Sequence, residues 1–79
     1  MVKLKNIRKA EGYISASYTP EDTSEEGYIK IRLSDGEVVE RRLTSEDGVT
    51  RAYFYHARNA LWKMMEEDEI PEKRTVMWY

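Results

Sequence analysis

The sequence predicts an α+β fold, in which an antiparallel sheet of three to four strands carries one amphipathic helix on one face. Three observations predict it. Short runs before residue 44 alternate apolar and polar side chains, as strands do. The segment Tyr53–Met65 instead repeats its apolar residues at the helical period. The chain then ends in strand-forming residues, 74–79, so the predicted order is β-β-β-α-β.

Length and composition exclude several classes of protein. The 79 residues suffice for a single domain, 1–79. The absence of cysteine excludes disulfides and cysteine-based zinc sites, and it fits a reducing cytoplasm. Neither a secretory signal nor a membrane helix is expected, because no apolar run is long enough. A net charge of −2 excludes a uniformly basic nucleic-acid protein but not a local basic patch.

The first strand signal is irregular. Val2 and Leu4 alternate with lysines, but the pattern slips at Asn6-Ile7, which predicts either a bulge or the end of the strand. A second alternating run covers residues 13–18, with Ile14, Ala16 and Tyr18 on one face. Residues 2–9 and 13–18 therefore form either one long bent strand or two strands.

The next two strands are predicted to form a hairpin around Ser34-Asp35-Gly36. A three-residue loop with Gly36 in the left-handed region keeps one face apolar. This register leaves Arg41 pointing inward near the end of the sheet. The cross-strand pairs it predicts are Leu33 with Glu37, Ile31 with Val39, and Lys30 with Glu40.

One helix is predicted to follow, about five turns long. Residues 44–47 are typical of a helix start, and Gly48 delays regular helix to near Thr50. Pro71 is expected to end the helix, because it biases Ile70 away from helical geometry. One continuous arc holds the apolar side chains Tyr53, Phe54, Ala57, Ala60, Leu61, Met64 and Met65. Which strand the final strand pairs with is open, and a right-handed crossover from the helix would make the two strands parallel.

Several short stretches resemble a known group of sequences. They are Gly12-Tyr13-Ile14, Tyr18-Thr19-Pro20-Glu21, Gly27-Tyr28-Ile29-Lys30-Ile31, His56-Ala57, Ile70-Pro71 and Thr75-Val76-Met77-Trp78-Tyr79. With these, nearly the whole chain resembles small uncharacterised bacterial proteins that end in a Thr-Val-Met-Trp-Tyr strand. The resemblance implies no activity, cofactor or site residue.

The principal candidate binding residues lie on one flank of the helix: Arg51, Tyr55, Arg58 and Trp62. Arginine and large aromatic residues are enriched in binding hot spots, and they also stack on bases and bind phosphates. Alternatively, these side chains cover the rim of the core, with Trp78 beneath them.

Other polar residues give weaker signals. His56 is the only histidine and is expected on the solvent side of the helix without a catalytic partner. The acidic loop 21–26 lacks the ligand spacing of a calcium site. The acids of Glu66–Glu69 fall at the negative end of the helix, where Lys73 and Arg74 neutralise them or a basic partner binds them.

The outer face of the sheet is a second candidate surface. It is predicted to alternate cations with other side chains: Lys30, Arg32 and Arg42 with Tyr28, Val38 and Glu40. RRM-like modules hold single-stranded RNA on such a face. Here Glu40 interrupts the patch and no RNP-like sequence is present, so a solvated face is the default expectation.

These patterns predict a non-enzymatic binding domain without metal or cofactor, whose partner is another protein or a second copy. The second copy would pair with an exposed edge strand, either the C-terminal or the N-terminal one. The alternative is a nucleic-acid-binding accessory protein, and no membrane partner is expected. In that alternative, the nucleic acid contacts both the helix flank and the basic residues Lys3, Lys5, Arg8 and Lys9. An enzyme using His56 and a carboxylate pair is the third hypothesis.

Overall fold

The computed structural model describes residues 1–20, 24–44 and 52–77. It contains the strands β1 (Val2–Ala10), β2 (Tyr13–Pro20), β3 (Gly27–Arg32), β4 (Val38–Arg42) and β5 (Arg74–Val76), and the helix α1 (Ala52–Met64). The strands form one sheet in the order β4-β3-β2-β1-β5, and every neighbouring pair is antiparallel. The predicted α+β class is confirmed, although the sheet has five strands rather than three or four.

The N-terminal segment forms two strands joined by a tight turn. Glu11 and Gly12 both have positive φ, at 56° and 85°, and Ala10 pairs with Tyr13 across them. Two left-handed central residues are the requirement of a type I′ turn, which suits the twist of a hairpin. This turn accounts for the additional strand.

The slip in the alternation at Asn6-Ile7 is a β-bulge. Asn6 adopts a φ of 54°, and the β1–β2 register shifts by one residue between Lys5 and Arg8. The extra residue changes the phase of the strand, so that Ile7 turns to the core and is only 6% exposed.

The β3–β4 turn is wider than predicted. Gly36 does have a left-handed φ of 73°, and Lys30 does pair with Glu40. However, Arg32 accepts a hydrogen bond from the Gly36 N–H (2.8 Å) and donates one to the Glu37 carbonyl (2.9 Å). The turn therefore encloses residues 33–36 and displaces Glu37 from the predicted position opposite Leu33, whose N–H donates to the Gly12 carbonyl instead (2.9 Å).

Because of the wider turn, two valines lie at positions that differ from the predicted ones. Ile31 pairs with Val38, not with Val39, and a bulge then restores the predicted register at Lys30. Val38 consequently packs against the core rather than lying on the outer face, while Val39 is 39% exposed. The sequence did not distinguish these arrangements, because either of two adjacent valines keeps the face apolar. Arg41 pairs with Ile29 and points inward as predicted, with its guanidinium carbon 6.0 Å from the centroid of the Phe54 ring.

The core lies between α1 and one face of the sheet. The helix buries Phe54, Ala57, Leu61 and Met64, and its other predicted apolar residues pack partly against them. The strands bury Val2, Leu4, Ile7, Ile14, Ala16, Tyr18, Ile29 and Ile31. The predicted apolar arc of the helix is thus confirmed.

The helix ends earlier than predicted, after 13 residues or about three and a half turns. Pro71 does not end it. Instead, the Lys9 ammonium donates hydrogen bonds to the carbonyl oxygens of Met65 (2.7 Å) and Glu67 (3.1 Å), directly beyond the last turn. The Glu66–Glu69 carboxylates follow directly, beside the negative end of the helix, and the Lys9 ammonium offsets part of the repulsion there.

The C-terminal strand lies at the edge of the sheet, antiparallel to β1. Val2 pairs with Val76 and Leu4 with Arg74, so the parallel crossover considered above is wrong. The predicted helix start at 44–47 lies outside the described residues except for Thr44, as do Thr50 and the terminal Trp78 and Tyr79. In the described ranges, no helix has the length and apolar character needed to cross a bilayer.

Candidate binding surfaces

The predicted helix flank forms a stacked cluster. The guanidinium carbon of Arg58 lies 4.7 Å from the centroid of the Tyr55 ring and 4.2 Å from that of the Trp62 ring. The spacing explains this arrangement, because helical residues three and four apart are neighbours on the surface. The fourth predicted residue, Arg51, lies outside the described part of the chain. We call the three described side chains the helix-flank stack.

The polar groups of the helix-flank stack bond within the domain. The indole N–H of Trp62 donates to the carbonyl oxygen of Gly36 (2.9 Å), which ties α1 to the β3–β4 turn. Arg58 donates from Nη2 to Oδ1 of Asn59 (3.1 Å). The stack therefore has a structural role at the rim of the core, while the Tyr55 and Trp62 rings stay about 40% exposed.

A second surface is the face of the sheet that points away from α1, here called the outer face. Ser15, Ser17 and Thr19 alternate with buried residues of β2 and therefore lie on it. Residues paired with them in the antiparallel ladder share that face. The cations placed there are Lys3, Lys5 and Arg8 on β1, Lys30 and Arg32 on β3, and Arg42 on β4.

Acids in the described part of the chain balance only some of these cations. Lys5 forms an ion pair with Glu26, and Arg32 lies 2.8 Å from Asp35 and 3.4 Å from Glu37. The remaining cations, Lys3, Arg8, Lys30 and Arg42, form no ion pair within the described ranges. Glu40 lies opposite Lys30. Among the described residues, the six cations of the outer face thus outnumber the four acids beside them, in a chain whose net charge is −2.

Aromatic rings and hydroxyl groups lie among the cations of the outer face. The Lys30 ammonium lies 4.5 Å from the centroid of the Tyr13 ring, a cation–π contact. Tyr28 pairs with Ser17 on one side and with Arg42 on the other. Both tyrosines are half-buried, and α1 packs on the opposite face, so the described chain leaves this surface open.

The structure does not bring together all the basic residues that the sequence grouped. Lys3, Lys5 and Arg8 lie on the outer face, whereas the helix-flank stack lies on the other side of the sheet. Lys9 lies on the helix side of the sheet, where its ammonium donates to the carbonyl oxygens of Met65 and Glu67 just beyond α1. The bulge at Asn6 separates Arg8 from the alternation of Lys3 and Lys5, so simple alternation misses its position.

The weaker candidates lie elsewhere. His56 is half-buried and lines a groove of about 340 Å³ between α1 and β5, together with Lys63 and Thr75. Arg74 lies 3.9 Å from Glu67, in agreement with the expectation that a cation of this chain neutralises the acidic segment Glu66–Glu69. The Lys9 ammonium is a second cation near that segment. Within the described ranges, histidine and acidic side chains form no cluster that could hold a metal ion.

No protein family, curated protein or solved structure matches this chain. The resemblance to small bacterial proteins with a Thr-Val-Met-Trp-Tyr end therefore stays a prediction. Any functional conclusion depends on the geometry of the surfaces described above.

Proposed function

We propose that this chain is a non-enzymatic binding domain that holds single-stranded nucleic acid on the outer face of its sheet. The observation that carries the proposal is a group of cations on an open face that form no ion pair with any described residue: Lys3, Arg8, Lys30 and Arg42. Ammonium and guanidinium groups bind phosphates, and their spread over three strands suits an extended polyanion.

The rings on the outer face favour nucleic acid over an acidic protein. Tyr13 and Tyr28 offer surfaces on which bases stack, and base stacking does not depend strongly on sequence. Serine and threonine hydroxyls between the rings supply further donors to phosphate oxygens. An acidic peptide would use the cations but would bring no base to stack on either ring.

Self-association or protein binding is the second candidate function. The exposed Tyr55 and Trp62 rings of the helix-flank stack favour it, because such rings with an arginine are typical of hot spots. Edge pairing is less favoured. The β4 edge carries Glu40, Arg41 and Arg42, β5 has only 3 residues, and β1 lies inside the sheet.

We further propose that the domain acts in the cytoplasm. Its lack of cysteine suits a reducing compartment, where disulfides would not persist.

The proposal is tested by titrating a fluorescein-labelled mixed-sequence DNA 12-mer at several salt concentrations. The double variant Arg8→Gln/Arg42→Gln removes two cations whose side chains have no described partner, so folding is expected to be preserved. Binding should weaken, and the dependence of log K on log salt should fall by about 0.7 for each lost phosphate contact. The matched control is Lys63→Gln/Arg58→Gln, which removes two cations from the helix and should leave binding unchanged.

Equal affinity for the wild type and the sheet variant would overturn the proposal, as would a loss of binding confined to the helix control. Failure of the wild type to bind any oligonucleotide at low salt would exclude nucleic acid, and sedimentation of the wild type beside Trp62→Ala would then test the second candidate.

A further inference from the structure

A groove runs between β1 and β5 on the outer face. Its volume is about 360 Å³, at the lower end of the range of small-molecule sites. The lining residues are Lys3, Leu4, Lys5, Lys73, Arg74 and Thr75. The pairing of Lys3 with Thr75 forms its floor, and the Ile7 N–H donates to the Glu72 carbonyl (3.0 Å), which keeps the chain beside β1 through residue 72.

The groove collects like charges. Lys3, Lys5 and Lys73 come from two adjacent segments and line the same space. Lys5 has Glu26 as a partner, whereas Lys3 and Lys73 form no ion pair within the described ranges. Arg74 pairs with Leu4, which faces the core, and its guanidinium lies 3.9 Å from Glu67.

The three ammonium groups that line the groove repel one another, and within the described ranges two of them have no carboxylate partner. An anion in the groove would relieve the repulsion and accept hydrogen bonds from the ammonium groups. Thr75 lies on the same face as Lys3, so its hydroxyl can donate as well.

We infer that this groove is a subsite for a phosphate monoester, and that it takes the terminal phosphate of the strand held on the outer face. The inference rests on the proposed function, because the groove is continuous with that face through Lys3 and Lys5. A terminal phosphate carries close to two negative charges at pH 7, whereas an internal phosphodiester carries one. Three ammonium groups at the edge of the sheet suit the more highly charged end of a strand.

The test compares four DNA 12-mers of one sequence, with phosphate or hydroxyl at the 5′ end and phosphate or hydroxyl at the 3′ end. One terminal phosphate should tighten binding by about tenfold, the size expected for one charge-assisted hydrogen bond. The double variant Lys3→Gln/Lys73→Gln should abolish that difference, and Lys63→Gln should preserve it. Thermal unfolding serves as the folding control, and the double variant should be at least as stable as the wild type without ligand.

A second arm adds inorganic phosphate alone and follows amide NMR signals. The Lys3, Lys73 and Thr75 signals should shift in the wild type and not in the double variant. Oligonucleotides that bind equally well with and without a terminal phosphate would overturn the inference and leave the proposed function standing. Shifts with inorganic phosphate but no oligonucleotide binding would overturn the proposed function and assign the groove to a free phosphate compound.

Discussion

The ring of Tyr18 lies against the backbone of Gly27 across the β2–β3 pair. Tyr18 is fully buried, and a Cβ atom at position 27 would overlap its ring carbons and lie 2.7 Å from the carbonyl oxygen of Arg42. Glycine leaves the space into which the aromatic ring packs, so the absence of one side chain allows the largest buried one to fit.

Gly27→Ala should therefore destabilise the domain by about 3 kcal/mol, the upper part of the range for overpacking. Chemical denaturation monitored by circular dichroism would measure the change. Gly12→Ala is the matched control, since a Cβ there meets nothing within 4 Å and only the positive φ is strained. It should cost about 1 kcal/mol, and a smaller loss for Gly27→Ala than for Gly12→Ala would contradict the packing described.

Lys9→Gln should destabilise the end of α1. The lysine ammonium bonds two carbonyl oxygens beyond the last turn, and a cation at that end also interacts favourably with the helix dipole. The expected cost is about 1 kcal/mol, with faster amide exchange in residues 61–67. Arg8→Gln changes the neighbouring residue on the outer face and should have no such effect. Equal exchange rates in both variants would show that Lys9 does not cap the helix.

Trp62→Phe should loosen the contact between α1 and the β3–β4 turn. The phenyl ring can still stack with Arg58 but cannot donate to the Gly36 carbonyl oxygen. A loss of about 1 kcal/mol is expected for one hydrogen bond, measured by urea unfolding. Tyr55→Phe is the control for Trp62→Phe, because it keeps an aromatic ring in the helix-flank stack and leaves the indole hydrogen bond intact. If both variants were as stable as the wild type, the indole hydrogen bond would contribute nothing.

The carboxyl group of Asp35 should make stability depend on pH in the acid range. The Glu37 N–H that donates to Oδ1 (3.0 Å) lowers the pKa of Asp35 from its ordinary value, and the charge of Arg32 (2.8 Å) lowers it further. A lowered folded-state pKa stabilises the domain above the unfolded pKa, near 3.9, and this stabilisation is lost as pH falls through the folded value.

Asp35→Asn should consequently be less stable than the wild type at pH 6, and the difference should shrink below about pH 4. Unfolding free energies of both proteins at pH 6 and pH 3 provide the measurement. Asp68→Asn is the control, since it changes an exposed acid outside this turn and should give no pH-dependent difference. A difference for Asp35→Asn that stayed constant with pH would mean that the carboxylate charge is not responsible.

The candidate surfaces differ in how far the sequence could predict them. Tyr55, Arg58 and Trp62 share one helix, and residues three and four apart on a helix are adjacent, so their grouping followed from local geometry. The groove formed by Lys3 and Lys73 depends on the pairing of β1 with β5, which are separated by most of the chain. No local pattern indicates that pairing.

The sequence by itself determined the fold class and the buried face of each main element. Burial of one side imposes a period of two on a strand and of about 3.6 on a helix, and this period can be recognised within a few residues. Ile14, Ile31 and Leu61 are therefore in the core, as predicted.

Tertiary structure decided the register at Val38, the end of α1 at Met64 and the face on which Arg8 lies. Each depends on one extra residue in a turn or bulge, or on a contact between distant segments such as that of Lys9 with Met65. A shift of one residue moves a side chain to the opposite face of a sheet. Whether that shift occurs depends on the non-local pairing energies of the folded chain.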